Sequence, residues 1–103
     1  MENKNENNGP MNIELSEEIA EGTYSNLAII THSNSEFVID FIKIMPGVPK
    51  ARVKSRIILT PQHAKRLMMA LKDNIMKFEQ VNGAIKDTDP AIPMNFGGPK
   101  AQA

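Results

Sequence analysis

The chain has 103 residues, no cysteine, two histidines, and 12 basic side chains balancing 12 acidic ones. That length holds one small domain, and the absence of cysteine excludes disulfides and thiolate zinc sites. The neutral total hides a segregation: residues 1–40 hold eight acids and one base, residues 41–72 eight bases and no acid, and residues 73–103 four acids and three bases.

Residues 1–10, rich in Asn, Glu and Lys, cannot bury enough apolar surface to offset the entropy of ordering and read as a disordered tail. They also lack the apolar stretch of a signal peptide, and no run approaches a membrane span, so the expected location is cytoplasmic. Residues 11–17 alternate weakly, with Ile13 and Leu15 on one side, as a short edge strand does. Residues 24–33 and 36–45 are rich in β-formers and flank Ser33-Asn34-Ser35, a polar trio suited to a tight turn, so they read as an antiparallel hairpin. Pro46-Gly47-Val48-Pro49 is a loop, because proline lacks a ladder donor.

Residues 50–60 alternate basic and apolar side chains: Lys50, Arg52, Lys54 and Arg56 on one face, Ala51, Val53, Ser55, Ile57 and Leu59 on the other. Thr60-Pro61 supplies a helix N-cap and a tolerated first-turn proline. Ala64, Leu67, Met68, Leu71, Ile75 and Phe78 then form one stripe at helical period, and Gly83 ends the helix, which spans 61–82. Residues 84–103, broken by prolines and glycines, read as a flexible tail. The expected domain is therefore residues 11–83, an α+β fold: an antiparallel β-meander of three to four strands followed by one long amphipathic helix.

Pairing Ser33 with Glu36 sets Ile30 against Ile39, Ala28 against Phe41 and His32 against Phe37. Placing Ile57 beside Ile39 and Leu59 beside Phe37 completes a first apolar face, which the helix stripe is expected to cover. The second face then carries Leu27, Ile29, Thr31, Val38, Asp40, Ile42 and Ile44, with Lys54 and Arg56 alongside and Asp40 opposite Arg56. One helix covers one side of a sheet, so this second face would stay open, and a patch of that size usually marks an interface. Leu27, Ile29, Val38, Ile42 and Ile44 are the expected oligomer interface, most simply of a homodimer. The competing reading folds the N-terminal segment back over them.

No catalytic, cofactor or metal site is expected. His32 and His63 stand apart from any nucleophile or orienting group, and Glu14, Glu17, Glu18 and Glu21 lack an acid–base counterpart. No glycine-rich phosphate loop occurs. The row Lys50, Arg52, Lys54 and Arg56 has the spacing to meet phosphates. Sheet surfaces that bind nucleic acid usually add aromatic stacking platforms, however, and this chain has one Tyr and no Trp. A solvated or acid-paired strand face is therefore the first expectation, with direct nucleic-acid contact and an acidic protein partner as the alternatives. In the C-terminal tail, Ile92, Met94 and Phe96 alternate as anchors of an extended docking peptide do; packing onto the chain's own domain and an inert tail are the alternatives.

The run Tyr24-Ser25-Asn26-Leu27-Ala28-Ile29-Ile30-Thr31-His32-Ser33-Asn34-Ser35-Glu36-Phe37-Val38-Ile39-Asp40-Phe41, followed by Pro61-Gln62-His63-Ala64-Lys65-Arg66-Leu67, resembles a prokaryotic domain-of-unknown-function family, number 3467. The patterns Tyr-x-Asn, Thr-His-x-x-x-Glu-Phe and Asp-Phe carry the resemblance across Ile13 to Gly83, and the tail is similar to that of Bacteroidetes-type members. The resemblance implies no catalytic residues. It implies a setting beside the large subunits of RNA polymerase, hence a non-catalytic accessory protein of transcription. In general architecture the chain also looks like the export chaperone SecB, which makes a holdase or general protein adaptor the alternative expectation.

Overall fold

The structure is a computed structural model and describes residues 11–87. The expected N-terminal tail and the anchors Ile92, Met94 and Phe96 lie outside the described residues. The elements are α1 (Glu17–Ala20), β1 (Leu27–His32), β2 (Phe37–Lys43), β3 (Arg52–Leu59) and α2 (Pro61–Asn82). The strands form one antiparallel sheet in the order β1-β2-β3. A long helix follows it, so the expected α+β arrangement holds with three strands.

The fourth strand expected over 11–17 does not form. Met11 to Ser16 has no regular structure, and the chain instead closes α1, where the Ser16 hydroxyl accepts from the Ile19 N–H at 3.3 Å and Glu17 and Glu18 occupy the first turn. Acids favour a helix start. Weak alternation makes no strand unless a sheet edge takes its backbone hydrogen bonds.

The hairpin turns as its polar residues dictate. The Ser33 N–H donates to the Glu36 carbonyl at 2.9 Å, and the Ser33 hydroxyl accepts from the Ser35 N–H at 3.2 Å. Ile30 faces Ile39, Ala28 faces Phe41 and His32 faces Phe37, the expected register. The next reversal is Met45-Pro46-Gly47-Val48, in which the Val48 N–H donates to the Met45 carbonyl at 3.2 Å and Gly47 has φ 81°. Proline second and a positive-φ glycine third are what a type II turn requires.

The second pairing runs from Phe37 against Leu59 through Ile39 against Ile57 and Asp40 against Arg56, then slips. Phe41 faces Ser55 but Ile42 faces Val53, so Lys54 is an extra residue, a β-bulge. The uniform alternation read across residues 50–60 is thereby corrected. Beyond the bulge the faces exchange: Val53 lies on the side of Ile42 and Asp40, while Arg52, opposite Lys43, lies on the side of Phe41.

Helix α2 has the expected bounds. The Thr60 hydroxyl accepts from the His63 N–H at 3.2 Å, Pro61 opens the first turn, and Gly83, at φ 84°, donates its N–H to the Glu79 carbonyl at 2.9 Å. Its placement differs from expectation. No residue of α2 is buried, and it makes no substantial contact with the sheet. Thr60 alone joins Leu59 to Pro61, with an extended backbone at φ −66° and ψ 153°. Strand-to-helix reversals ordinarily use two to six residues. One extended residue leaves no length for the helix to turn back over its own sheet.

The core of the described residues is correspondingly small: Ile29 and Ile42 are buried beside a fully buried Asp40 on one face, and Ile39 is buried on the other. Ile39→Ala is expected to cost about 2–5 kcal/mol, as truncation of a buried isoleucine does. Ile58→Ala, at an exposed position of β3, is expected to cost less than about 1 kcal/mol. Urea unfolding at one fixed chain concentration measures both.

Candidate interaction surfaces

Both faces of the sheet are apolar, but they stand differently toward solvent. On the second face Ile29 and Ile42 are buried, while Leu27, Val38 and Ile44 are half-buried. The centre of the surface expected to be open is thus already withdrawn from water within one chain. At that centre Arg56 grips Asp40 through two parallel bonds, Nε to Oδ1 at 2.6 Å and Nη2 to Oδ2 at 2.9 Å. Asp40 is fully buried and the Arg56 side chain half-exposed. This two-point geometry is the strong form of a charge-assisted hydrogen bond. The hydrogen bond to Asp40, and then its charge, raise the guanidinium pKa above its ordinary value.

The bulge and this pair together dismantle the basic row. Lys50 precedes β3, Arg52 sits on the first face, Lys54 occupies the bulge, and Arg56 is committed to Asp40. The four cations therefore do not share one phosphate-facing line. Lys50, Arg52 and Lys54 are exposed and form no ion pair with another described residue.

The first face carries an unpartnered apolar surface, and so does the β3 side of the second, where Ile58, opposite Val38, is 57% exposed and Val53, opposite Ile42, 40%. Ile30 and Ile57, neighbours of Ile39, are 40% and 43% exposed, and His32 stacks on Phe37 with ring centroids 5.3 Å apart. The α2 stripe is equally uncovered, with Leu67, Leu71, Ile75 and Phe78 between 39% and 56% exposed. At its far end an open apolar hollow lies between Ile75, Phe78, Asn74 and Ile85. The chain is held there by the Ile85 N–H, which donates to Glu79 Oε2 at 2.8 Å.

Two residues outside the expected sites hold the hairpin's open end. The Ser25 hydroxyl lies 3.0 Å from the Leu27 carbonyl and 2.9 Å from the Ile42 carbonyl. Asn26 uses its side-chain amide as a strand would use backbone: Nδ2 donates to the Ile44 carbonyl at 3.0 Å, and Oδ1 accepts from the Ile44 N–H at 2.7 Å. Lys43 Nζ lies 5.7 Å from the Tyr24 ring centroid, within cation–π range. The Tyr-x-Asn pattern was the only sequence sign of this clamp. The acids Glu14, Glu17, Glu18 and Glu21 are exposed, and no group of three or more potential metal ligands occurs among the described residues. Nor is any helix of those residues long and apolar enough to cross a membrane.

A protein-family model described as "Protein of unknown function (DUF3467)" matches residues 1–87. No curated protein and no solved structure matches the chain.

Arg56→Leu leaves the Asp40 carboxylate buried without a partner, whereas Asp40→Leu with Arg56→Leu removes both charges. The single change is expected to lower Tm by several degrees and the double change to recover most of that loss. Thermal unfolding by circular dichroism measures it.

Proposed function

The chain belongs to the DUF3467 family, and from that premise we propose that it is a non-catalytic, oligomeric accessory protein that binds the transcription machinery. The observation that carries the binding reading is the apolar first face together with the uncovered α2 stripe, since soluble chains rarely leave such contiguous surface without a partner. Supporting it, the residues that distinguish the family pattern act on the fold. Asn26 clamps the hairpin end, His32 stacks on Phe37, and Asp40 anchors Arg56. The transcription partner rests on the setting beside RNA polymerase subunits that the family resemblance implies. Lys50, Arg52 and Lys54 offer an acidic surface of that partner exposed cations, and Ile92, Met94 and Phe96 offer it apolar anchors at alternate positions of the sequence. Direct nucleic-acid contact stays the weaker reading, because the basic residues are divided between surfaces. Its setting in this reading is the cytoplasm.

The uncovered apolar stripe also favours a second reading, a holdase or general adaptor in the manner of SecB. The two part on selectivity: a holdase suppresses aggregation of unrelated unfolded clients at molar excess, and an accessory protein does not.

Affinity purification of the tagged chain from native lysate at low salt is expected to recover RNA polymerase subunits. Truncation after Gly83 is expected to reduce that recovery on the order of tenfold, as loss of an anchor worth about 1.4 kcal/mol does. Arg52→Glu with Lys54→Glu is expected to lower recovery while leaving Tm nearly unchanged. Recovery of no polymerase subunit by the intact chain contradicts the transcription assignment.

A further inference from the structure

We infer that a second copy of this chain completes the fold, each α2 lying across the first sheet face of its partner in a reciprocal helix exchange. This rests on the oligomeric part of the reading above and not on its transcription partner.

Three observations identify the occupant. The first is covalent: Thr60 is the whole connection between β3 and α2, so the helix cannot reverse onto its own sheet. A connection too short for intramolecular docking is the circumstance in which an element docks on an identical protomer instead. The second is fit. The stripe from Ala64 to Phe78 is about 21 Å long at helical rise, and the seven residues of β2 extend about 24 Å. The helix therefore brings an apolar strip of the length that the first face presents, around Ile30, Ile39 and Ile57. The third is need. Among the described residues three aliphatic side chains are buried, a small core for a chain without disulfides, and small scaffolds make up that deficit by association.

Other arrangements satisfy less. Packing stripe against stripe covers the helices but leaves Ile30 and Ile57 in water. A contact through the second face covers Ile58 and Val53 but leaves both the α2 stripe and the first face in water. The exchange covers the α2 stripe and the first sheet face with one two-fold operation, since each chain supplies one strip and receives one. A helix about 10 Å wide over a strand-length footprint, made twice, buries roughly 1,000 Å² in total, the lower bound of a specific interface.

The cysteine-free sequence makes the test direct. The unaltered chain is expected to sediment at twice its 11.4 kDa mass. Inserting about six Gly/Ser residues between Leu59 and Thr60 preserves the helix cap and gives α2 the length to fold back. That variant is expected to keep its circular dichroism spectrum and to halve its mass. In parallel, L71C chains mixed with I57C chains are expected to form a disulfide-linked pair joining position 71 of one to position 57 of the other. A monomeric unaltered chain overturns the inference, as does an assembly whose size the insertion leaves unchanged, or one that links only 71 to 71. These outcomes are independent of whether lysate purification recovers polymerase.

Discussion

Thr60 ends the sheet, caps the helix and, being the entire link between them, forbids the amphipathic helix from covering the sheet that precedes it. A helix stripe and an apolar sheet face are each half of a layer pair, and stable domains bury one against the other. Here the two halves occur in one chain but cannot meet within it. The exposed side chains of α2 and of the first face follow from that single covalent limit, and so does the expectation of an oligomer.

Against this open side, the centre of the second face is closed. Asp40 sits without solvent among isoleucines and is held by both nitrogens of the Arg56 fork. A buried carboxylate is tolerable only with such compensation, and its two-point geometry fixes which residue of β3 lies opposite β2. The bulge at Lys54 follows within two residues, so register is pinned on one side and released on the other. Asn26 and Ser25 complete the arrangement at the hairpin's open end by supplying the ladder bonds that regular pairing no longer makes. Asp40, Arg56, Ser25 and Asn26 thus act as devices that hold a small sheet in one register.

Much of this was legible in the sequence, and the failures have specific causes. The hairpin register followed from three polar turn residues and from the need to keep Ile30, Ile39 and Ile57 together. Helix α2 was bounded by a threonine–proline start and a glycine stop, whose capping chemistry is local. What periodicity could not see was an insertion in register: a bulge leaves sequence alternation intact while exchanging its faces, so the basic row of Lys50 to Arg56 looked continuous. Residues 11–17 failed as a strand because alternation reports compatibility with a sheet and not the presence of an edge. The covering helix failed for a related reason. The stripe is legible in its period, whereas docking on its own sheet also depends on the tether, which is Thr60 alone.

The central claim is that α2 packs on the sheet of another chain. An isotope-filtered NOE experiment on an equal mixture of carbon-13-labelled and unlabelled chains observes that contact without altering a residue. The account predicts intermolecular cross-peaks between Leu71 or Phe78 and Ile39 or Ile57. Cross-peaks between those side chains found only within uniformly labelled molecules, and absent between labelled and unlabelled ones, would contradict it.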